Sequence, residues 1–548
     1  MKKLSKSIFT ILISDTKKIV LDYHLYILIT VYAAFFGCFI FIMNDVSISL
    51  LAAFWVDHGM MLDSMLKILQ WKTLYNQMQA YQSSYYGWTY FFISFLFLAP
   101  IKLVASLMLI RSYIIVFVGL KILHFFYGLL SCISFYFLMT RFASKFRALL
   151  LSLILMLASP LTEFFYLFHP ETIGVFFLNL GCIYLVDLLK QKSNSKAELL
   201  TKYYIIVLFL TLSTLSKPTF FLIAAPLYIS LLVIYIEKSE QSILAFVKSL
   251  KFWYLLLKTL SFSVVIFFLI NPFFFLNFSQ SIKLQIGNAL FFSNYSLTYN
   301  SWFESLMAWA SFIGSFQLLL ASVLSTGIVF IYLGMGSCKV GPTLMSRKKN
   351  KIYSNPKDLS IYLFIQFAVL LNILFTAVSM RLFIDARYLI PVLPLMLVNV
   401  SMVISKLTET SFIPTKTKNL VFTLILVALS YNYLKTNLNH LDDFYHYKQN
   451  VKYKVYSYIQ NNIPDGSVIL YDQFVGIADN KKITPHHYWN YKSDELKNIN
   501  AEYIIFNPEF KYNNKYHDNL IILKEIVKTQ DYEKIKEIGE IEIWQKNR

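Results

Sequence analysis

The sequence predicts an all-α polytopic membrane protein with a small α/β domain at its C-terminal end, on three observations. The first is composition. Of 548 residues, 57% are hydrophobic, 18% aromatic and only 15% charged, with a mean hydropathy of +0.54, too little charge to cover a soluble core of this size. The second is an apolar run that recurs at about the 20-residue length a helix needs to cross a bilayer. The third is a change of texture near residue 437, where short alternating runs replace the long ones. The expected division is therefore a transmembrane domain over 1–436 and an extracytoplasmic domain over 437–548.

The apolar runs lie at 25–43, 112–139, 148–168, 172–189, 203–216, 218–236, 253–270, 313–335, 359–378, 388–405 and 420–435, about eleven spans. Basic clusters punctuate them. Lys2, Lys3, Lys6, Lys17 and Lys18 precede the first run, Arg141, Lys145 and Arg147 follow the second, and Lys190, Lys192, Lys196 and Lys202 follow the fourth. Lys238, Lys248 and Lys251 follow the sixth, Arg347, Lys348, Lys349 and Lys351 the eighth, and Lys406, Lys416 and Lys418 the tenth. With eleven spans all of these fall on one side, which the positive-inside bias makes cytoplasmic. The N-terminus is then cytoplasmic, and the chain is a multi-pass protein of the plasma or inner membrane. The segment 87–110 is apolar enough to be another span but would invert every later loop. Parity makes it a juxtamembrane or re-entrant helix, with Pro100 and Lys102 limiting its depth. Lys121 and His124, inside the second run, are expected to snorkel or to face the bundle interior.

The net charge of +19 does not indicate nucleic acid, because the basic residues form short clusters between apolar runs and no recognition motif accompanies them. Cys38, Cys132, Cys182 and Cys338 show no CxxC spacing, so no disulfide framework or zinc site follows. The opening "MKKLSKSIFTILISDTKKIVLDYH" is interrupted by charges and reads as a cytoplasmic lead-in instead of a cleaved signal. In the last domain, "VKYKVYSYIQNNIPDGSVILYDQF" predicts a helix, a turn at Pro464-Asp465-Gly466 and a short buried strand. "AEYIIFN" is a second strand, "NLIILKEIVKTQ" a helix and "YEKIKEIGEIEIW" a hairpin turning near Gly539. No Gly-rich phosphate loop follows either strand.

Four polar sets need an explanation, and the eleven-span topology places all four on the outer side. Asp57, His58 and Asp63 follow the first span. Six residues separate the acids, so they do not share a helical face, and one is expected to point inward and the other outward. An acid pair on a surface loop is, however, most often solvated. His169 and Glu171, in "FHPET", sit at the turn between the third and fourth spans, where an acid at a helix start is favoured by the helix dipole alone. Lys217, in "LSKPTFF", goes against the positive-inside bias, with Pro218 opening the next helix. Arg381, Asp385, Arg387 and Tyr388 lie in "MRLFIDARYLIPVLPL", where an Arg fork suits two phosphate oxygens. Acids suit deprotonating a hydroxyl or holding a divalent cation, and Lys and Arg suit a phosphate. Their convergence at lipid level describes transfer from a lipid-linked phosphate donor.

These stretches resemble the GT-C superfamily of integral-membrane glycosyltransferases, in the branch related to glycosyltransferase family 39, which includes protein O-mannosyltransferases and lipid A aminoarabinose transferases. "VDHGMMLDSMLKILQWKTLYNQMQAYQSSYYGWTYFF" is similar to that family's first outer loop, and "FHPETIGVFFLNLGCIYL" to its second. "LSTLSKPTFFLIAAPLYI" looks like its Lys-Pro-Thr turn and "RYLIPVLPLMLV" like its Arg-Tyr-x-x-Pro-x-x-Pro entry helix. The likeness covers about residues 25–405. His58 stands where an acid is common, and Glu171 where several branches carry Asp. The resemblance implies a GT-C-like fold with juxtamembrane helices in the first outer loop. It makes Asp57 and Glu171 the catalytic acids and candidate metal ligands. It gives the donor phosphate to Lys217, Arg387 and Arg381, with His58, His169, Asp385 and Tyr388 in support. A polyprenyl-phosphate-sugar donor and a lipid, glycan or protein acceptor are the implied partners. The aromatic stretch 271–305 suits either an acceptor pocket or an interfacial belt. A surface-polysaccharide ligase or polymerase and a lipid-linked glycan transporter are the rival readings, though a transporter would be expected to place ionisable groups near the midplane.

Overall fold

The computed structural model describes residues 22–42, 50, 56–69, 87–107, 112–158, 168–190, 196–238, 249–271, 391–409 and most of 445–547, with isolated positions between. The expected runs 313–335 and 359–378, most of 420–435 and the stretch 305–390 lie outside the described residues. The described helices are α1 (Tyr23–Phe36), α2 (Val56–Ile68), α3 (Trp88–Leu107), α4 (Ser112–Met139), α5 (Lys145–Leu157), α6 (Glu171–Lys190), α7 (Lys196–Ser216), α8 (Phe221–Lys238), α9 (Leu250–Ile270) and α10 (Leu393–Glu409). Among the described residues, six helices are long and apolar enough to cross a membrane, and the protein is an all-α polytopic membrane protein with a small C-terminal sheet domain.

Side-chain contacts define two ends of the bundle. At one end Asp22 caps α1 through the His24 backbone N–H and accepts from Tyr136 at the end of α4 and Lys145 at the start of α5, both at 2.9 Å. Arg141 grips Asp187 with two bonds of 2.9 Å at the same end. At the other end Lys121 of α4 donates to the Ile42 carbonyl, just past α1. Helix α6 runs alongside the second half of α4. Ser131 donates to the Thr172 carbonyl, and Asn179 donates to Ser131 and Ser134. Helix α9 follows α7, through Tyr203 with Thr259 and Thr211 with Ser263. Glycines allow close approach where the helices cross: a Cβ at Gly128 would meet the Tyr32 hydroxyl at 2.1 Å.

Helix α3 runs unbroken through Pro100, and Lys102 donates to the Leu69 carbonyl, capping the end of α2. By length and composition it is a candidate span. Its contacts run along α7 and α4: Thr89 bonds the Leu212 carbonyl near the end of α7, Ser94 bonds Tyr127, and Leu98 lies against Gly119. It therefore starts at the Lys121 end and runs beside the first turns of α4, away from Asp22. The run 148–168 differs from the sequence expectation, since α5 ends at Leu157 with Ala158 extended and Pro160 two residues on.

The C-terminal domain carries α11 (Val451–Asn462), β1 (Val468–Tyr471), β2 (Thr484–His487), α12 (Ser493–Leu496), β3 (Tyr503–Phe506), α13 (Lys515–Thr529), β4 (Tyr532–Ile538) and β5 (Ile541–Lys546). The sheet order is β2-β1-β3-β5-β4, with β1 parallel to β2 and β3, and β5 antiparallel to β3 and β4. The turns sit at Gly466 (φ 90°) and Gly539 (φ 59°), where a left-handed backbone favours glycine. Tyr447 belongs to the membrane core, with Tyr453 and Tyr456 packed on it. Helix α11 thus leaves that core, and β1 returns toward it. The loop after β1 touches Leu50, since a Cβ on Gly476 would lie 2.8 Å from the Leu50 Cα. Tyr445 faces Phe39 at 6.3 Å between ring centres. The domain therefore rests on the Lys121 end.

Candidate active site

The turn that opens α6 and the turn that closes α7 meet at that end. Thr-Leu-Ser-Lys-Pro stops α7 because Pro218 cannot continue its hydrogen-bonding, and a 3-10 turn, Pro218–Phe220, leads into α8. Pro170 likewise sets up the first turn of α6, with the Gly174 N–H bonding the Pro170 carbonyl. The Ser213 hydroxyl ties the two helices by donating to the Gly174 carbonyl at 2.9 Å.

These turns bring His169, Glu171 and Lys217 together in a buried polar chain. Glu171 is fully buried, with Lys217 at 5% and His169 at 2% exposure. One Glu171 oxygen accepts from the Lys217 ammonium and the other from His169 Nδ1. The His169 backbone N–H donates to His124 Nε2 at 2.8 Å. A carboxylate only accepts, so His169 carries its ring proton on Nδ1, and His124, accepting at Nε2, carries its own on Nδ1. Burial, and then the charge of Lys217, hold the His169 imidazole well below its ordinary pKa, so the ring is neutral. Removing either member of such a buried ion pair strands the other and costs about 3–5 kcal/mol.

Sequence reasoning did not assign His124 a role at this site. The signal for it was the pair Lys121 and His124, one turn apart in an apolar run. Both are buried, at 7% and 1% exposure. Tyr90 was also missed. Its ring centre is 5.5 Å from that of His124, and its fully buried hydroxyl has no hydrogen-bond partner among the described residues.

Asp57 and His58 lie in the first turn of α2, one turn ahead of Met61. Met61, Leu62, Met65 and Ile68 of that helix are buried in the main core, and Lys102 caps its far end. Asp63 faces outward and pairs with Lys67 at 2.6 Å. The helix bearing Asp57 is thus anchored to α3 and α4, at the end of the bundle where Glu171 and Lys217 meet. Arg381, Asp385, Arg387 and Tyr388 lie outside the described residues. As a metal ligand Glu171 fits poorly, because both its oxygens already accept from cationic or N–H donors. Among the described residues no group of three His, Cys, Asp or Glu side chains is arranged around one point.

No protein-family model and no curated protein matches the chain. Several solved chains match, two of them over most of its length. ArnT from Cupriavidus metallidurans in the apo state is 11% identical, covering 82% of this chain and 86% of its own, with a TM-score of 0.44. The same protein bound to undecaprenyl phosphate is 12% identical, covering 78% and 84%, also at 0.44.

Proposed function

We propose that the protein is a membrane glycosyltransferase that moves a sugar from a polyprenyl-phosphate donor to a lipid, glycan or protein acceptor at the outer face of the membrane. The observation that carries this reading is the meeting of Glu171 and Lys217, 46 residues apart, with His169 and His124 at the end of the bundle that also holds the Asp57 helix. A structural core has no need to bury four ionisable side chains at one helix end, whereas an anionic head group that cannot leave the lipid requires charges at that level.

The reaction couples one bond made to one bond broken. The acceptor hydroxyl oxygen attacks the anomeric carbon, and the bond from that carbon to the phosphate oxygen breaks, with the electron pair leaving on phosphate. Asp57 is assigned to take the hydroxyl proton, or to orient a cation beside it. Phosphate leaves without a strong acid, provided cations meet its growing charge. Lys217, Arg387 and Arg381 are assigned that role, with His58, His169, Asp385 and Tyr388 in support. The domain over 437–548 braces the outer loops through Tyr445, Tyr447 and Gly476.

The test is transfer by the purified protein in lipid with a radiolabelled polyprenyl-phosphate sugar. Asp57→Asn should lower the rate by about 100-fold or more. Transfer undiminished by that change, or none by the intact protein with any acceptor extract, overturns the reading.

A further inference from the structure

Lys217 is assigned to the donor phosphate, yet in this structure it already has an anion. Its ammonium is bonded to Glu171, and both groups are buried. The carboxylate therefore competes with a phosphate oxygen for the charge of Lys217. The Tyr90 hydroxyl, on a ring 5.5 Å from that of His124, is buried with no hydrogen-bond partner among the described residues, as is the hydroxyl of Thr219, two residues past Lys217 in the chain. Buried hydroxyls are nearly always bonded, so both retain capacity for a further oxygen. We infer that Glu171 is an internal stand-in for the donor phosphate, holding Lys217 until the phosphate takes it over.

This rests on the donor assignment above and adds a direction to it. A polyprenyl-phosphate sugar is a phosphodiester with one negative charge, and breaking its bond to the anomeric carbon leaves a monoester approaching two. A lysine ammonium is a compact charge with three rotatable donors, suited to exchanging one anion for another. The carboxylate carries one charge, so it competes on near-equal terms with the diester and loses to the monoester. Lys217 therefore moves toward phosphate as the sugar departs, and the interaction is stronger in the transition state than in the ground state, the condition for it to raise the rate. Glu171 keeps its bond from His169, which His124 holds in place through the backbone N–H.

The experiment measures binding of undecaprenyl phosphate to the full chain in lipid nanodiscs, for the intact protein, Glu171→Gln, Lys217→Met and the double variant. Removing the competitor should tighten binding about tenfold in Glu171→Gln. Lys217→Met and the double variant should both bind about 100-fold more weakly than Glu171→Gln. The double variant removes both charges together, so it keeps the fold where a lone buried charge endangers it, and thermal unfolding of all four reports that directly. Folded Glu171→Gln that binds no tighter than the intact protein overturns the exchange. Equal binding by all four overturns it too and leaves the donor reading intact with its phosphate held elsewhere. No binding by the intact protein overturns the donor reading itself.

Discussion

The contact between Gly476 and Leu50 gives the sharpest prediction about how the two domains work together. A Cβ at position 476 would fall 2.8 Å from the Leu50 Cα, 2.9 Å from its Cδ1 and 3.1 Å from its Cβ. Carbon atoms rest near 3.5–4.0 Å, so Gly476→Ala requires a shift of about 1 Å against backbone, which has no rotamer to yield. Such overpacking costs about 1–3 kcal/mol, and Gly476→Val, with two more methyl groups, lies at the upper end. The sheet can shed the cost by lifting off Leu50, because Val475 and Ile477 are held in the domain's own core with Val455 and Ile459. The expected outcome is a domain that stays folded but loosens its hold on the segment leading into α2. Hydrogen exchange on the full chain in nanodiscs should quicken in residues 50–69 and stay unchanged in β3 and β5. Transfer activity should fall with the loosening. Unchanged exchange at 50–69 in Gly476→Val would refute the bracing role, and so would faster exchange across the whole sheet.

Other outcomes follow from single groups. Burial lowers the pKa of Lys452, on α11 outside the bilayer, to about 8 against the opposing pull of Asp472 and Glu540. Between pH 8 and about 10.5 the unfolded chain then binds more protons, so the domain's stability should rise with pH over that window, and Lys452→Met should flatten the rise and stabilise the domain near pH 7, by about 1 kcal/mol. Near-UV circular dichroism during unfolding reads both. Lys102→Met removes the cap on the end of α2, worth about 0.5–1 kcal/mol, and limited proteolysis just beyond Leu69 should quicken. Asp22→Asn takes the charge from a carboxylate bonded to Tyr136, Lys145 and the start of α1, and should lower the thermal midpoint of the bundle, at a cost of about 1–3 kcal/mol.

Much of the architecture was legible because it is written in composition and period. The apolar runs at 112–139, 172–189 and 253–270 became α4, α6 and α9 nearly end to end, since a lipid-facing helix must be apolar along its full length. The hairpin at Gly539 and the turn at Gly466 were legible because only glycine takes their backbone without strain. Strand β2 was not. Thr484-Pro485-His486-His487 has no apolar alternation and carries a proline, which an edge strand tolerates and a central one does not. Helix α3 was legible as an apolar helix of span length, whereas its relation to the bilayer turns on the parity of basic loops, a non-local property. At the site, single turns announced His169, Glu171 and Lys217. Their pairing was not readable, because nothing in a sequence says that a carboxylate 46 residues away will claim a lysine. His124 was hidden for the opposite reason, since one ionisable residue in an apolar run looks the same whether it is snorkelling or holding a neighbour.

The lysines at this end of the bundle are each met by a partner within the protein. Lys102 caps Leu69, Lys121 caps Ile42 beyond α1, and Lys217 is bonded to Glu171. The first two satisfy carbonyls that a helix end leaves exposed, and those carbonyls carry the negative end of the helix dipole. Each charge is therefore balanced within the protein by a partner that also fixes a turn. A carbonyl is a weak competitor for an ammonium but a fixed one, because moving it would unravel the helix end. A carboxylate side chain is a strong competitor that can turn away. Of these three cations, Lys217 is consequently the one whose partner can be exchanged for an incoming anion without loss of secondary structure. The distinction rests on the chemistry of the partners, so it predicts different outcomes for two similar changes: Lys121→Met should loosen the segment past α1 and leave phosphate binding intact, whereas Lys217→Met should do the reverse.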